Sequence, residues 1–144
     1  MRLSAKTEYA SLAMLELARR QHDEDPVRIR EIADAHGVPA RFLVQILLQL
    51  KSAGLVTSTR GAAGGYRLAR DASAITLADI HEVFDGPPEV STSLGQEAPL
   101  SRANQVLLSA WQEVARREHE ALEHHDLATL ASRAEADAEA MYYI

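Results

Sequence analysis

Three polar side chains recur at intervals of four residues along one amphipathic segment of the chain. Arg41, Gln45 and Gln49 lie on one face of a helix predicted over residues 40–53. The opposite face is apolar and carries Leu43, Ile46, Leu47 and Leu50. Arginine pairs with guanine edges and glutamine with adenine edges in the major groove of DNA. The spacing therefore predicts a base-reading face; the alternative is that Arg41 binds phosphate and Gln49 is a solvated surface residue.

The charged residues in and around this helix are basic. No acidic residue occurs between Asp34 and Asp71, whereas that window contains Arg41, Lys51, Arg60, Arg67 and Arg70. Residues 1–70 carry 11 basic and 7 acidic side chains, and residues 71–144 carry 4 and 14, so the two halves have formal charges of +4 and −10 within a total of −6. A basic window beside an acidic one predicts a footprint on a polyanion, unless the acids fell elsewhere by chance.

Two helices joined by a tight turn must position this face. The first is predicted over residues 28–36 and stops at Gly37, and the helix over 40–53 follows. Strand-like runs at 56–60 and 65–69 then flank a glycine-rich turn, which is typical of a hairpin. Helix, turn, helix and hairpin in this order predict a winged helix-turn-helix; a three-helix domain with an incidental hairpin is the alternative.

Further helices are predicted on both sides of these elements. One covers residues 4–21, and another covers 76–84 with Thr76 as its cap. The predicted fold class is mainly α with a small β-wing, a winged helix-turn-helix domain plus a long dimerisation helix. The predicted boundaries are 1–86 for the winged domain, 87–99 for a loop, and 100–144 for the dimerisation helix and a C-terminal helical tail.

The long helix is predicted to run from Leu100 to about His125. Its apolar residues Leu100, Leu107, Val114 and Ala121 repeat every seven positions. The apolar face of an amphipathic helix outside a small domain must be buried, and a second subunit is the simplest partner for it. The alternative is that the helix folds back onto its own winged domain. The predicted dimer contacts are Leu100, Leu107, Trp111, Val114 and Leu122.

Several motifs occur in an order that resembles the Rrf family of winged-helix transcriptional regulators. They are MRLSAKTEYA, IADAHGVPARFLVQIL, KSAGLVTSTRGAAGGYRLAR, ITLADIHEVFDG and a tryptophan-bearing long helix around Trp111. The arginine followed by Gly61, the Gly64–Gly65 pair and a tyrosine is the most diagnostic. The resemblance implies a homodimer that represses at a near-palindromic operator, because the palindrome mirrors the two-fold axis of the dimer.

The resemblance also extends the set of predicted DNA contacts. It places Arg60, before the wing glycines, at or in the minor groove, where narrow A·T tracts attract arginine. Arg2, Lys6, Arg28 and Lys51 are interpreted as phosphate contacts that set position without reading sequence. The complete predicted set is Arg2, Lys6, Arg28, Arg41, Gln45, Gln49, Lys51, Arg60 and Arg67.

Cysteine is absent from the 144 residues, which excludes disulfides, thiolate zinc sites and cysteine-ligated iron–sulfur clusters. Relatives that hold a cluster use three cysteines, and the resemblance puts those positions at about Ser93, Pro99 and Gln105. We therefore expect no cofactor; the open alternatives for control are a small-molecule effector, a protein partner, or the abundance of the protein itself. The alternative is a metal or haem site drawn from Glu8, His81, His119, His124 and His125.

Other functional classes have less support in the sequence. We find no nucleophile–base constellation, no lysine-bearing phosphate loop and no HExxH pair, so we expect no enzyme activity. No apolar run reaches the roughly 18 residues that span a bilayer, and no signal-peptide core is seen, so we expect a cytoplasmic protein. The remaining alternative is a winged-helix adaptor that contacts proteins and no longer binds DNA.

Overall fold

Helices dominate this computed structural model, which describes residues 1–93 and 99–142. Within those ranges are six α-helices, one antiparallel pair of strands and a short 3-10 helix at Ala72–Ala74. The elements are α1 (Ala5–Arg19), α2 (Ile29–His36), α3 (Ala40–Ser52), β1 (Val56–Thr59), β2 (Gly65–Leu68), α4 (Leu77–Asp85), α5 (Arg102–Glu123) and α6 (Leu127–Tyr142). The predicted fold class, mainly α with a small β-wing, is confirmed.

Local capping explains where the helices begin and end. The Ser4 hydroxyl accepts a hydrogen bond from the Thr7 backbone N–H at 3.2 Å, so Ser4 caps α1 rather than forming its first turn. Gly37 ends α2 in the left-handed region, at φ 64°. Thr76 and Asp79 form a reciprocal capping box at the start of α4. These ends lie within about two residues of the predicted ones.

The apolar face of α3 is buried in the common core. Leu43, Ile46, Leu47 and Leu50 are each no more than 2% exposed, and they pack in one cluster with residues of α1 such as Met14. Burying a side chain of this size contributes roughly 1.5–3 kcal/mol. The predicted core face of α3 is therefore confirmed, and its polar face is turned to solvent.

The wing is attached to the segment that leads into α2. Strands β1 and β2 pair antiparallel, with Val56 opposite Leu68 and Thr59 opposite Gly65. Val27 then pairs with Tyr66 through two backbone hydrogen bonds of 2.9 and 2.7 Å. A Cβ atom at Gly65 would lie 2.5 Å from the Val27 carbonyl oxygen, so this close approach requires glycine.

The C-terminal helix packs into the same core as α1. Leu127 is 1% exposed and Ala131 8%, and both belong to the central cluster. The Leu127 N–H also donates to the Ile75 carbonyl at 2.9 Å. The sequence predicted only a helical tail here, because the apolar pattern of this segment is too weak to indicate that it packs into the core.

Helix α5 packs against α4 and has no buried residue. Ser101 caps it by accepting from the Asn104 N–H at 3.2 Å, and the helix begins at Arg102. The prediction that the helix begins at Leu100 is wrong for this reason. No helix in the ranges 1–93 and 99–142 is long and apolar enough to cross a bilayer.

We expect Gly65→Ala to lower the free energy of unfolding by about 3 kcal/mol, because the new methyl collides with the Val27 carbonyl. Gly61→Ala is the matched control, since Gly61 also has a positive φ of 106° but open space around it. Backbone strain alone makes that change cost about 1 kcal/mol. Urea unfolding followed by circular dichroism measures both. Equal losses would contradict the close packing of the wing against Val27.

Candidate functional site

The outward face of α3 carries the three side chains predicted to read bases. Arg41, Gln45 and Gln49 are all exposed. Val44 and Leu48 lie beside them and are 41% and 46% exposed. Two apolar side chains held in water next to polar ones are available for contact with another surface, including thymine methyl groups.

A groove between α1 and α3 joins the start of the first helix to this face. It has a volume of about 580 Å³. Its polar lining is Lys6, Arg41, Gln45 and Gln49, and its apolar lining is Ala5, Tyr9, Phe42 and Ile46. The groove contains two cations and no carboxylate, which suits an anionic strand.

Two aromatic rings in the lining of this groove contact each other. Tyr9 and Phe42 stack with ring centroids 6.0 Å apart. The Arg41 guanidinium carbon lies 4.9 Å from the centroid of the Phe42 ring, a cation–π contact. Because the ring holds the Arg41 guanidinium against α3, part of the ordering of this side chain is complete before any partner arrives.

A second cleft, of about 540 Å³, lies between α3 and the wing. Three of the predicted cations, Arg28, Lys51 and Arg60, line it together with Leu48. The Lys51 ammonium donates to the Ser58 hydroxyl at 2.7 Å, which places it at the base of the wing. Arg60 is exposed at the end of β1, next to the wing turn.

Two of the predicted DNA contacts, Arg28 and Arg67, donate hydrogen bonds to carbonyl oxygens of the protein itself. The Arg28 guanidinium donates to the Ala62 carbonyl oxygen at the wing tip. The Arg67 guanidinium donates to the carbonyl oxygen of Asp23 at 2.9 Å and also to that of Glu24. Both side chains thus connect the wing to the segment before α2. Arg2 is exposed in the extended segment before α1.

A separate apolar stripe lies on α5. Leu107, Trp111 and Val114 are 57%, 62% and 53% exposed. Val106, which is absent from the predicted set, is 53% exposed on an adjoining side of the helix, since consecutive helical residues differ by about 100° in direction. Leu122 lies further along the helix, where it is half-buried and lines a cleft against α4. The half-buried Leu100 precedes the helix. Of the five predicted dimer contacts, three therefore form the exposed stripe, namely Leu107, Trp111 and Val114.

Ion pairs flank the stripe. The Arg116 guanidinium lies 2.7 Å and that of Arg117 2.8 Å from the same Glu113 oxygen. These charge-assisted hydrogen bonds hold the pKa of Glu113 down to about 2. A glutamate is ionised at neutral pH in any case, so the low pKa extends the charged state of Glu113 into the acid range at the edge of the apolar surface.

The described residues do not form a metal site. Cysteine is absent from the sequence, and no group of three or more His, Asp or Glu side chains in 1–93 and 99–142 could hold a metal ion. His81, His119 and His124 each lie against a group of their own helix: the Asp85 carboxylate, the Glu123 carboxylate and the Glu120 carbonyl. At the positions where the resemblance places the cysteines, Ser93 and Pro99 are exposed and the Gln105 amide donates to the Leu100 carbonyl.

Comparisons with known proteins agree on one family. Residues 3–133 match the Rrf2 family model, described as an iron-dependent transcriptional regulator. The HTH-type transcriptional regulator CymR of Bacillus subtilis is 36% identical over 145 residues, which cover 100% of both chains. IscR of Yersinia pestis is 32% identical over 132 residues, covering 92% of this chain and 80% of the relative.

Solved structures give the same result. The structure of CymR, titled the global cysteine regulator of B. subtilis, matches with a TM-score of 0.76 and 34% identity, covering 92% of this chain and 98% of that one. IscR of T. potens matches with a TM-score of 0.75 and 34% identity, covering 95% and 90%. The iron in the family description finds no fitting ligand set among the described residues. The chain nevertheless matches the family over most of its length, in sequence and in structure, and it belongs to the Rrf2 family of winged-helix transcriptional regulators.

Proposed function

We propose that the protein is a dimeric, sequence-specific DNA-binding regulator that represses at a near-palindromic operator without a cysteine-ligated cluster. One observation carries the proposal: the exposed face of α3 presents Arg41, Gln45 and Gln49 beside two clefts whose cations meet no carboxylate in their lining. One cleft leads to the start of α1 and the other to the wing. This arrangement suits a helix in the major groove with phosphates on both sides.

The direct test is selection from a random duplex pool with the purified full chain, followed by titration of the winning duplex against salt. We expect a palindrome to be enriched and the logarithm of its binding constant to fall steeply with the logarithm of salt concentration. Absence of any enrichment at low salt would contradict sequence-specific binding by the isolated protein and would favour the adaptor alternative.

Single substitutions distinguish a residue that reads bases from one that binds phosphate. We expect Arg41→Ala to weaken operator binding by about 1–3 kcal/mol and to relax base preference, because a base-edge contact is lost. Lys51→Ala should weaken operator and random duplex alike, because phosphates carry no sequence. Arg133→Ala, an exposed charge on α6, is the control for loss of one cation. Fluorescence anisotropy on both duplexes measures this, and equal losses on the two for Arg41→Ala would remove its base-reading role.

The wing arginines have a different expected effect. Arg28 binds the wing tip carbonyl of Ala62, so Arg28→Ala should loosen the wing even without DNA. We expect hydrogen exchange at the backbone N–H of Gly64, which closes the wing turn, to accelerate about tenfold. Arg60→Ala, at the same wing, should leave that exchange unchanged while weakening DNA binding. Unaltered exchange in Arg28→Ala would instead leave the phosphate contact as its role.

The stripe on α5 supports the homodimer. Leu107, Trp111 and Val114 lie on one face, and a two-fold axis would bring the same surface of each subunit together. The large exposed tryptophan has the properties of an interface anchor. Pairing would remove from water the apolar surface that packing on α4 leaves exposed.

We expect Leu107→Glu to weaken dimer formation by more than about tenfold, because it buries an unpaired charge in the stripe. The monomer should keep its helical circular dichroism, since Leu107 touches no buried core. Ser109→Glu is the matched control, adding the same charge on a different exposed face of α5. Sedimentation equilibrium reports the dissociation constants, and a dimer unaffected by Leu107→Glu would place the interface elsewhere.

A further inference from the structure

A buried hydroxyl near the start of α1 is bonded across the fold to the end of α4. Thr7 is 3% exposed, and its Oγ1 donates to the Asp85 Oδ2 atom at 2.6 Å. The same Oγ1 accepts from the Ser4 hydroxyl at 3.0 Å. A hydrogen bond to a charged acceptor is short and strong, and a buried hydroxyl without a partner is destabilising. Thr7 thus links two segments 78 residues apart in the chain.

Each partner belongs to a different functional part of the molecule. Thr7 follows Lys6, which lines the groove beside the recognition face of α3. Asp85 is the last residue of α4 and lines a cleft of about 260 Å³ against α5, together with Leu122 and His119. Its Oδ2 atom also lies 3.4 Å from the His81 Nε2 atom. The carboxylate thus connects the DNA-facing start of α1 with the support of α5.

Hydrogen bonds add direction to the packing of α5 on α4: at the start of α4, the Leu77 N–H donates to the His125 carbonyl just beyond α5 at 3.0 Å. No residue of α5 is buried, and apolar contact is non-directional. A hydrogen bond, in contrast, weakens steeply as its angle changes. The Thr7–Asp85 bond therefore constrains the angle between α1 and the end of α4 against which α5 rests.

We propose that Thr7 is a positioning residue for operator recognition: through Asp85 it fixes the winged unit relative to α5, and so fixes the spacing between the two recognition helices of a dimer. The role rests on the proposed dimeric DNA-binding function. A dimer binds two half-sites about one helical turn apart, so operator affinity depends on this spacing. Random duplex imposes no half-site spacing, and its binding depends mainly on charge.

The test uses three variants of the full chain. Thr7→Val keeps the shape but removes the donor, and Thr7→Ser restores the hydroxyl. Ser11→Ala is the matched control, because the Ser11 hydroxyl donates at 2.7 Å to the Thr7 carbonyl and its bond stays within α1. Each variant also carries Ala35→Cys on the exposed surface of α2. Since the sequence has no cysteine, a spin label attaches only there.

We expect Thr7→Val to broaden or shift the distance distribution between the two labels of the dimer and to weaken operator binding about tenfold, with random-duplex binding unchanged. Thr7→Ser should recover both properties, and Ser11→Ala should alter neither. If Thr7→Val unfolds at the assay temperature, Asp85→Ala removes the acceptor from a part-exposed position and should show the same pair of changes.

Either of two results would overturn the role of Thr7 while leaving the proposed function intact. Unaltered label distances and operator affinity in Thr7→Val, with the parent dimeric and bound to operator, would leave Thr7 as a stabilising core residue only. Equal weakening on operator and random duplex, with unaltered distances, would do the same. A parent chain that neither dimerises nor binds any duplex would instead contradict the proposed function itself, and this role with it.

Discussion

Burial of one face of α3 is the constraint on which the remaining organisation depends. Leu43, Ile46, Leu47 and Leu50 are removed from water against α1, and together they contribute several kcal/mol. A helix that buries these four positions has no freedom to rotate. Its other face, with Arg41 at its beginning, must point to solvent, because 3.6 residues per turn fix which side chains share a side. The hydrophobic effect thus sets the direction in which polar groups are displayed.

Hydrogen bonds fix segments that apolar burial alone does not hold in place. The wing is a two-stranded hairpin, which is marginally stable by itself. It is held by backbone pairing between Val27 and Tyr66 and by the guanidinium groups of Arg28 and Arg67 on carbonyl oxygens. At the other side of the fold, the hydrogen bond from Thr7 to Asp85 likewise joins two segments that are distant in the chain. Charged side chains that a sequence presents as ligands for a partner can thus be structural donors.

The distribution of charge and apolar surface divides the molecule into two working surfaces. The α3 and wing side carries the cations and an exposed face between two clefts. The α5 side carries an apolar stripe around Trp111, flanked by ion pairs that include Glu113. The chain combines a winged helix-turn-helix with the long helix α5, and its sequence contains no cysteine.

Periodicity and capping residues alone determined the helices, the hairpin, the buried face of α3 and the exposed position of Arg41, because these depend on neighbours within a few residues. Only the tertiary structure decided that Leu127 joins the core, that Leu122 is half-buried in a cleft against α4, and that Arg28 and Arg67 bind carbonyl oxygens. Those contacts join segments far apart in the chain, and no local pattern records which distant group will lie within hydrogen-bond reach. The helices follow from local spacing, whereas the partners of their side chains follow from how the helices pack.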